Sequence, residues 1–181
     1  MRGSTRSRLI RFIPALAVGA AGLFVAAPGA SAAAGTTTTF QLTAGSLTIN
    51  EPASANLGSV AVGSLTLSKN LGTISVSDTR GNLSSTWTAT VSSTSFTTGT
   101  ATQYETVATS SIAYLAGTAT SSTGVGTFAP GTLATMSSSG TAGAWAGTSS
   151  NSVSWNPTIT FTLSPSQVAG TYTGTITHSV A

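Results

Sequence analysis

Cysteine is absent from this 181-residue chain, and charged side chains are scarce. Without cysteine, the chain can form no disulfide and offers no thiolate to a metal ion. Only 5% of its residues are charged, whereas typical domains carry about a quarter. A single histidine is present, so there is neither a cluster of histidine metal ligands nor a choice of catalytic bases. We therefore expect no catalytic residue, no metal and no cofactor.

Most of the positive charge lies at the N-terminus. Four of the six basic residues fall between Arg2 and Arg11, and a long apolar run and the small residues Ala30-Ser31-Ala32 follow them. This order is typical of a secretory signal peptide that is removed on export. We expect residues 1–32 to be the signal and residues 33–181 to form one secreted domain, with an uncleaved N-terminal anchor as the alternative. The membrane would then be met only during export.

Removal of the signal would leave an almost uncharged protein. The remaining charges give a formal net charge of −1, and their residues are Lys69, Arg80, Glu51, Asp78 and Glu105. A protein that binds nucleic acid normally carries a basic face that neutralises phosphates. Such a face is missing after residue 32, so we expect no nucleic-acid partner.

Alternation of apolar and hydroxyl side chains is the main pattern after the signal. Trp87, Ala89 and Val91 alternate with threonine and serine, and Ile74 and Val76 do the same. A period of two is typical of strands with one buried face, and no helical period is sustained. Turn residues separate many such short segments. The pattern predicts an all-β fold, an antiparallel two-sheet β-sandwich, Ig-like or adhesin-like, of about eight to ten strands.

The alternation is longest near the C-terminus. Segments 153–163 and 168–180 are predicted to be two long strands, paired as a hairpin or as neighbours. Earlier strands are expected around Phe40 and around Val60, and the stretches 116–126, 137–143 and 147–151, rich in glycine and serine, are expected to be loops. The residues expected in the core are Trp87, Trp155, Phe161, Ile74, Val76, Val91, Ile159, Tyr172 and Ile176.

Few residues are candidates for binding or chemistry. Asp78 and Arg80 form the densest charged feature, which favours an ion pair or bonds from Asp78 to turn amides, with ligand contact as the alternative. Trp145 lies among glycine and alanine, so we expect it to be the exposed aromatic contact, if there is one. His178 shares the parity of an apolar face, which favours a structural role.

An enzyme such as a glycan hydrolase is the alternative that the carboxylates leave open. Such enzymes need two carboxyl groups facing each other across a cleft. Glu51 and Glu105 are the residues that could converge in this way, but nothing in the pattern brings them together. We therefore expect a protein without catalysis.

Two pairs of short motifs carry a family resemblance. The segments Val76-Ser77-Asp78-Thr79-Arg80-Gly81 and Trp87-Thr88-Ala89-Thr90-Val91 resemble the first signature of WxL-domain cell-surface proteins of Gram-positive bacteria. Trp155-Asn156-Pro157-Thr158-Ile159-Thr160 and the segment 169–176 resemble the second half of such domains. Alanine at position 89 and proline at position 157 replace the leucines of the pattern, as in a divergent, actinobacterial-type relative. The core signature would be Trp87, Trp155 and Tyr172.

The resemblance implies a secreted, non-catalytic protein that associates with the cell wall through peptidoglycan. Its partner would be a cell-wall polymer or a surface protein. A second hypothesis is a structural subunit of an extracellular fibre or coat, a homo-oligomer that assembles by strand pairing. It follows from the long C-terminal strand, which nearly lacks the charges that usually guard a sheet edge.

Overall fold

The computed structural model describes residues 35–181 and is built almost entirely of β-structure. Its strands are β1 (Leu47–Asn50), β2 (Thr66–Asn70), β3 (Ile74–Asp78), β4 (Ser85–Ser93), β5 (Phe96–Thr97), β6 (Thr106–Val107), β7 (Ile112–Leu115), β8 (Ala119–Pro130), β9 (Thr132–Leu133), β10 (Gly140–Trp155), β11 (Thr158–Thr162) and β12 (Ile176–Val180). Two short 3-10 helices span Gln103–Glu105 and Thr109–Ser111. The predicted all-β class is confirmed, and the predicted signal lies outside the described residues.

Two antiparallel sheets enclose the core, as the sequence predicts. The first sheet has six strands, β1, β3, β4, β8, β10 and β12. The second has four strands in the order β2, β11, β7 and β9. Strands β5 and β6 form a small separate pair. The result is a β-sandwich-like fold.

Strand β10 is the centre of the first sheet. Strand β8 runs along one of its sides. On its other side, β4 pairs with residues 140–147 and β3 pairs with residues 151–155. The link between β3 and β4 lies beside an irregularity of β10, where Ser149 has a positive φ of 62° and donates its amide to Asn82 O at 2.9 Å. Beyond β3 and β4, the sheet is extended by β1 and β12.

The predicted strand 153–163 is in fact two strands in different sheets. Strand β10 ends at Trp155 and β11 begins at Thr158, so the chain changes sheets at Asn156 and Pro157. Proline has no amide hydrogen and interrupts a ladder. The alternation continues across this crossing because Trp155, Pro157 and Ile159 all remain buried on the inside of the sandwich. Every second side chain therefore remains buried across this crossing, although the strand itself is interrupted.

The predicted C-terminal hairpin is wrong. Strand β11 pairs with β2 and β7, whereas β12 pairs with β4 in the other sheet. Only Ile176–Val180 of the predicted strand 168–180 is a strand, apart from one isolated bridge between Thr173 and Thr97. Tyr172 is partly buried at the margin of the core rather than within it. Hydroxyl-rich alternation indicated a strand here, but tertiary contacts decide which part is paired.

The predicted loops 116–126, 137–143 and 147–151 are largely strand, in β8 and β10. Three of their glycines, Gly126, Gly143 and Gly147, lie beneath aromatic rings. A Cβ at Gly126 would be 2.6 Å from the Trp145 ring, and one at Gly143 would be 2.6 Å from the Phe128 ring. Glycine here makes room for an aromatic neighbour on the same face, which is a known use of glycine in strands. These stretches were predicted to be loops because glycine is common in loops, whereas here it is required by the aromatic packing.

Two strands predicted nearer the N-terminus are shorter than expected or missing. The first strand begins at Leu47 rather than at Phe40. Val60 and Val62 lie in a loop before β2, with exposed fractions of 39% and 66%. Apolar alternation over two residues is too short a signal to separate a strand from a loop.

Aromatic rings fill the space between the sheets. Trp87 and Trp155 are stacked with their ring centroids 6.5 Å apart, and Phe128 lies 5.3 Å from Trp155. Trp155 is fully buried and Trp87 is 2% exposed. Seven of the nine residues that the sequence placed in the core are buried, and Tyr172 and Ile176 are partly buried against it. Both signature tryptophans are thus packing residues.

Candidate functional site

Asp78 and Arg80 form an ion pair at the end of β3. Arg80 donates from Nε to Asp78 Oδ1 and from Nη2 to Asp78 Oδ2, both at 2.9 Å. The backbone amide of Arg80 donates to the same carboxylate at 3.0 Å. The Arg80 side-chain bonds, which outweigh the desolvation of the carboxylate, hold the pKa of Asp78 far below its usual range. The ion pair and the turn amide bond that the sequence predicted are both present.

A series of buried side chains joined by hydrogen bonds continues from this ion pair into the sheet. Ser85 donates to Asp78 Oδ2 at 2.7 Å and accepts from Asn151 Nδ2 at 2.7 Å. Trp87 donates its indole N–H to Asn151 Oδ1 at 2.9 Å. Each of these side chains thus has a partner, as buried polar groups require. These side-chain hydrogen bonds connect the segment between β3 and β4 to the irregular part of β10. We therefore interpret them as structural.

Trp145 is buried, which corrects its interpretation as the exposed aromatic contact. It lies within β10, paired with Trp87 of β4 on one side and Phe128 of β8 on the other, and is only 4% exposed. Its indole ring lies over the glycines Gly126 and Gly147. Its Nε1 has no hydrogen-bond partner among residues 35–181. A glycine-rich neighbourhood allows this ring to lie flat on the sheet rather than to face solvent.

His178 belongs to a hydrogen-bonded chain that starts at the surface and enters the core. Its Nδ1 lies 2.8 Å from Glu51 Oε2, and its Nε2 lies 3.3 Å from the Tyr114 hydroxyl. The same hydroxyl accepts from Trp155 Nε1 at 2.9 Å. The His178 side chain is fully buried, whereas that of Glu51 is 35% exposed. The predicted apolar-face position of His178 is confirmed.

The hydrogen-bond donors among these side chains determine which nitrogen of the His178 ring carries its proton. An indole N–H can only donate, so the Tyr114 oxygen accepts from Trp155. The hydroxyl proton of Tyr114 is then free to be donated to His178 Nε2, and the single ring proton of the neutral imidazole then lies on Nδ1, which donates to Glu51 Oε2. Burial lowers the pKa of His178 below its ordinary 6.5, although Glu51 opposes this. Burial also raises the pKa of Tyr114 to about 12. Both groups are therefore neutral near pH 7.

We expect acid to destabilise the domain through His178. Because the folded-state pKa is lowered, the unfolded state takes up a proton first. The stability that neutral His178 contributes is therefore fully present above pH 6.5. It is lost as the pH falls from there through the folded-state pKa of His178. Urea unfolding over a pH series measures this loss. Glu51→Gln should enlarge it, since the carboxylate is what favours the charged imidazole, whereas Glu105→Gln should not. An unfolding free energy that stays constant below pH 6.5 would contradict this.

Within the described residues 35–181, the three carboxylates share no hydrogen-bond partner. Asp78 is bound to Arg80 and Ser85, and Glu51 to His178. Glu105 Oε2 accepts hydrogen bonds from the amides and hydroxyls of Thr100 and Thr102, which lower the pKa of Glu105. In the described part of the chain, no three acidic or histidine side chains come together as metal ligands would. Each carboxyl group is therefore held by its own set of partners within the fold.

A groove of about 780 Å³ lies between two loops, residues 55–64 and 164–174. This volume is in the range of ligand-binding clefts. The buried residues Val107 and Phe161, together with Phe96, contribute to its apolar lining, and Val62 and Val168 are among its exposed residues. Among residues 35–181, its lining includes no acidic, basic or histidine side chain. Sequence reasoning missed the groove because its two loops are about a hundred residues apart and only the tertiary fold brings them together.

Hydrogen bonds hold the second loop in place. Gln167 donates from Nε2 to Thr106 O at 3.1 Å and accepts from Ser164 N at 3.1 Å. The Tyr172 hydroxyl lies 2.9 Å from Val168 O and 3.1 Å from Tyr104 O. Several side-chain contacts thus fix this wall of the groove. The groove is an uncharged surface with hydroxyl and amide groups, suited to a neutral partner.

Comparison with known proteins gives no match: no family model, curated protein or solved structure is similar to this chain. No helix among residues 35–181 has the length and hydropathy needed to cross a bilayer.

Proposed function

We propose that this is a secreted, non-catalytic cell-surface protein that binds a neutral polymer of the cell wall. The single observation that carries the proposal is the groove between residues 55–64 and 164–174, which has the volume of a ligand site and no charged lining. A site without charge selects against phosphates and carboxylates, because their charge would be desolvated without a partner. Neutral sugar units, which combine apolar faces with hydroxyl groups, fit this lining.

The carboxylates support binding rather than catalysis, and the tryptophans limit which residues can bind. Asp78, Glu51 and Glu105 each bond to separate partners within the fold, and none of them lines the groove. The segments that resemble WxL domains supply Trp87 and Trp155 to the core, where they stack on each other. If the resemblance is functional, contact with the wall must come from other residues. The exposed valines of the groove are the candidates.

Sedimentation with purified, nucleic-acid-free cell walls tests the proposal. The full-length chain is produced in a secreting host and used in the form in which it is recovered. We expect it to sediment with the walls at both low and high salt, because salt screens charge interactions and not neutral ones. The double variant Val62→Asp, Val168→Asp should bind roughly tenfold more weakly or worse, since it buries two unpaired charges in the contact.

Leu83→Asp is the matched control for this experiment. Leu83 is 89% exposed, lies in the link between β3 and β4, and does not line the groove. It should sediment as the unchanged protein does. The proposal is wrong if the unchanged protein stays in the supernatant. Release of the bound protein by salt, or by protease treatment of the walls, would instead point to a charged or protein partner.

A further inference from the structure

The free edge of β8 is the least protected strand edge of the described fold. Strand β8 has twelve residues and pairs on one side with β10, and no other strand of residues 35–181 pairs with it. Residues 120–127 are all exposed. Unpaired strand edges are templates for pairing with another chain, and natural proteins usually guard them with charges, prolines or bulges. None of the residues of β8 is charged.

Other edges of the two sheets do carry such protection. Strand β2 includes Lys69, and β9 has only two residues. Strand β12 lies near the end of β1, where Glu51 bonds to the amide and ring of His178. The sequence suggested the C-terminal strand as the edge that pairs with another chain, but β12 is only five residues long. This contrast singles out β8 as the edge open to association.

Gly124 and Pro130 limit the part of β8 that can pair. Gly124 has a φ of 98°, which interrupts the regular strand, and Pro130 lacks an amide hydrogen. Between them lies the regular segment Val125–Gly126–Thr127–Phe128–Ala129, which matches residues 144–148 of β10 without a shift. Phe128 points inward, onto Trp87 and Trp155. Val125, Thr127 and Ala129 therefore share the outer face.

This five-residue segment is complementary to itself. In an antiparallel pair centred on Thr127, Thr127 faces its own copy, and paired threonines are favourable cross-strand neighbours. Val125, 75% exposed, then faces Ala129 of the second copy. Gly126 faces Phe128 of the second copy, so the ring meets a position without a side chain, as it does at the diagonal neighbour Gly143 within the sheet. No position brings two like charges together, which is the usual obstacle to pairing a strand with itself.

We propose that the protein self-associates through residues 125–129 of β8, paired antiparallel with the same segment of a second copy about a two-fold axis at Thr127. Such a contact uses the same surface on both copies, so it closes at a dimer and does not extend into a fibre. The paired surface is small, so the dimer is weak and forms at high protein concentration. The inference is independent of the groove, which lies between other segments.

Charge placed at the two-fold axis tests this pairing. Thr127 is exposed, so Thr127→Lys and Thr127→Glu should fold normally, as circular dichroism can verify. Sedimentation equilibrium over a concentration series should give a monomer–dimer equilibrium for the unchanged protein. Each single variant should remain monomeric, because it places two like charges opposite each other. An equimolar mixture of the two variants should form dimers again, since lysine then faces glutamate.

Two control variants carry the same added charge elsewhere. Thr177→Lys lies on an exposed position of β12, and Thr123→Lys lies on β8 before Gly124. Both should dimerise as the unchanged protein does. A protein that is monomeric at every concentration, a Thr127→Lys variant that still dimerises, or a mixture that stays monomeric would each overturn the proposal. Loss of association only in Thr177→Lys would assign the contact to β12 and overturn it equally.

Discussion

Trp155→Ala is expected to remove about 3–5 kcal/mol of folding stability, the range for truncating a buried aromatic residue. Trp155 is fully buried between the sheets, stacked on Trp87 and close to Phe128. The neighbouring rings belong to β4 and β8, so both flanks of the central strand lose contacts with it. Most domains have a total stability of about 5–15 kcal/mol, so the variant should be largely unfolded in modest urea. Urea unfolding followed by circular dichroism measures the loss.

Two other variants separate packing from hydrogen bonding at this position. Trp155→Phe keeps a ring in the core but loses the bond to the Tyr114 hydroxyl, so its loss should be smaller, about 1–3 kcal/mol. Tyr104→Ala truncates an aromatic residue that is 49% exposed, and surface changes of this kind stay within about 0.5 kcal/mol. If Trp155→Ala lost no more stability than Tyr104→Ala, the assignment of Trp155 to the core would be wrong.

Asp78→Ala is expected to destabilise the domain by about 2–4 kcal/mol, because it leaves buried donors without an acceptor. Ser85 is only 1% exposed and donates to Asp78. Two nitrogens of the Arg80 side chain and its backbone amide lose the same acceptor. The Arg80 side chain is 31% exposed, so water can solvate part of what is lost, and the expected effect is smaller than for a fully buried pair.

The pH dependence of this variant gives a second readout. The folded-state pKa of Asp78 lies below its ordinary 3.8, so its contribution is present above that pH and is lost as the pH falls further. Asp78→Ala should therefore show a shallower loss of stability in strong acid than the unchanged protein, while the His178 loss at higher pH remains. Thr79→Ala does not touch the carboxylate and should keep the acid slope. Equal acid slopes with and without Asp78 would contradict the expected role.

Alternation within single strands was the part of the fold that the sequence could predict. The faces of β3 and β4 follow directly from Ile74, Val76, Trp87 and Val91, because a period of two needs no knowledge of a partner strand. Pairing was different. The continuous pattern through Pro157 hid a change of sheet, and the choice between neighbours for β11 and β12 rests on contacts between residues far apart in the chain.

In the candidate site too, contacts between residues close in sequence were predictable and contacts between distant residues were not. Asp78 and Arg80 are two residues apart, so their ion pair was predictable from local spacing. Asn151 bonds to Ser85 and Trp87 from more than sixty positions away, and nothing distinguishes it within a stretch rich in serine. Trp145 was misplaced because glycine was interpreted as a sign of a loop. Aromatic residues spaced two positions from glycine, as in Gly143-Ala144-Trp145-Ala146-Gly147, are the signal that would have indicated a strand.

The position of β10 in the first sheet determines when this protein can fold. Strands β3, β4 and β8 all need β10 as their common neighbour, and β10 occupies residues 140–155, after all three of them in the sequence. A growing chain that stops short of this segment has hydrophobic strands but no sheet in which to bury them. Proteins dominated by such distant pairings also fold slowly. The first sheet should therefore assemble only after residues 140–155 have been synthesised, because until then β3, β4 and β8 have no common strand to pair with.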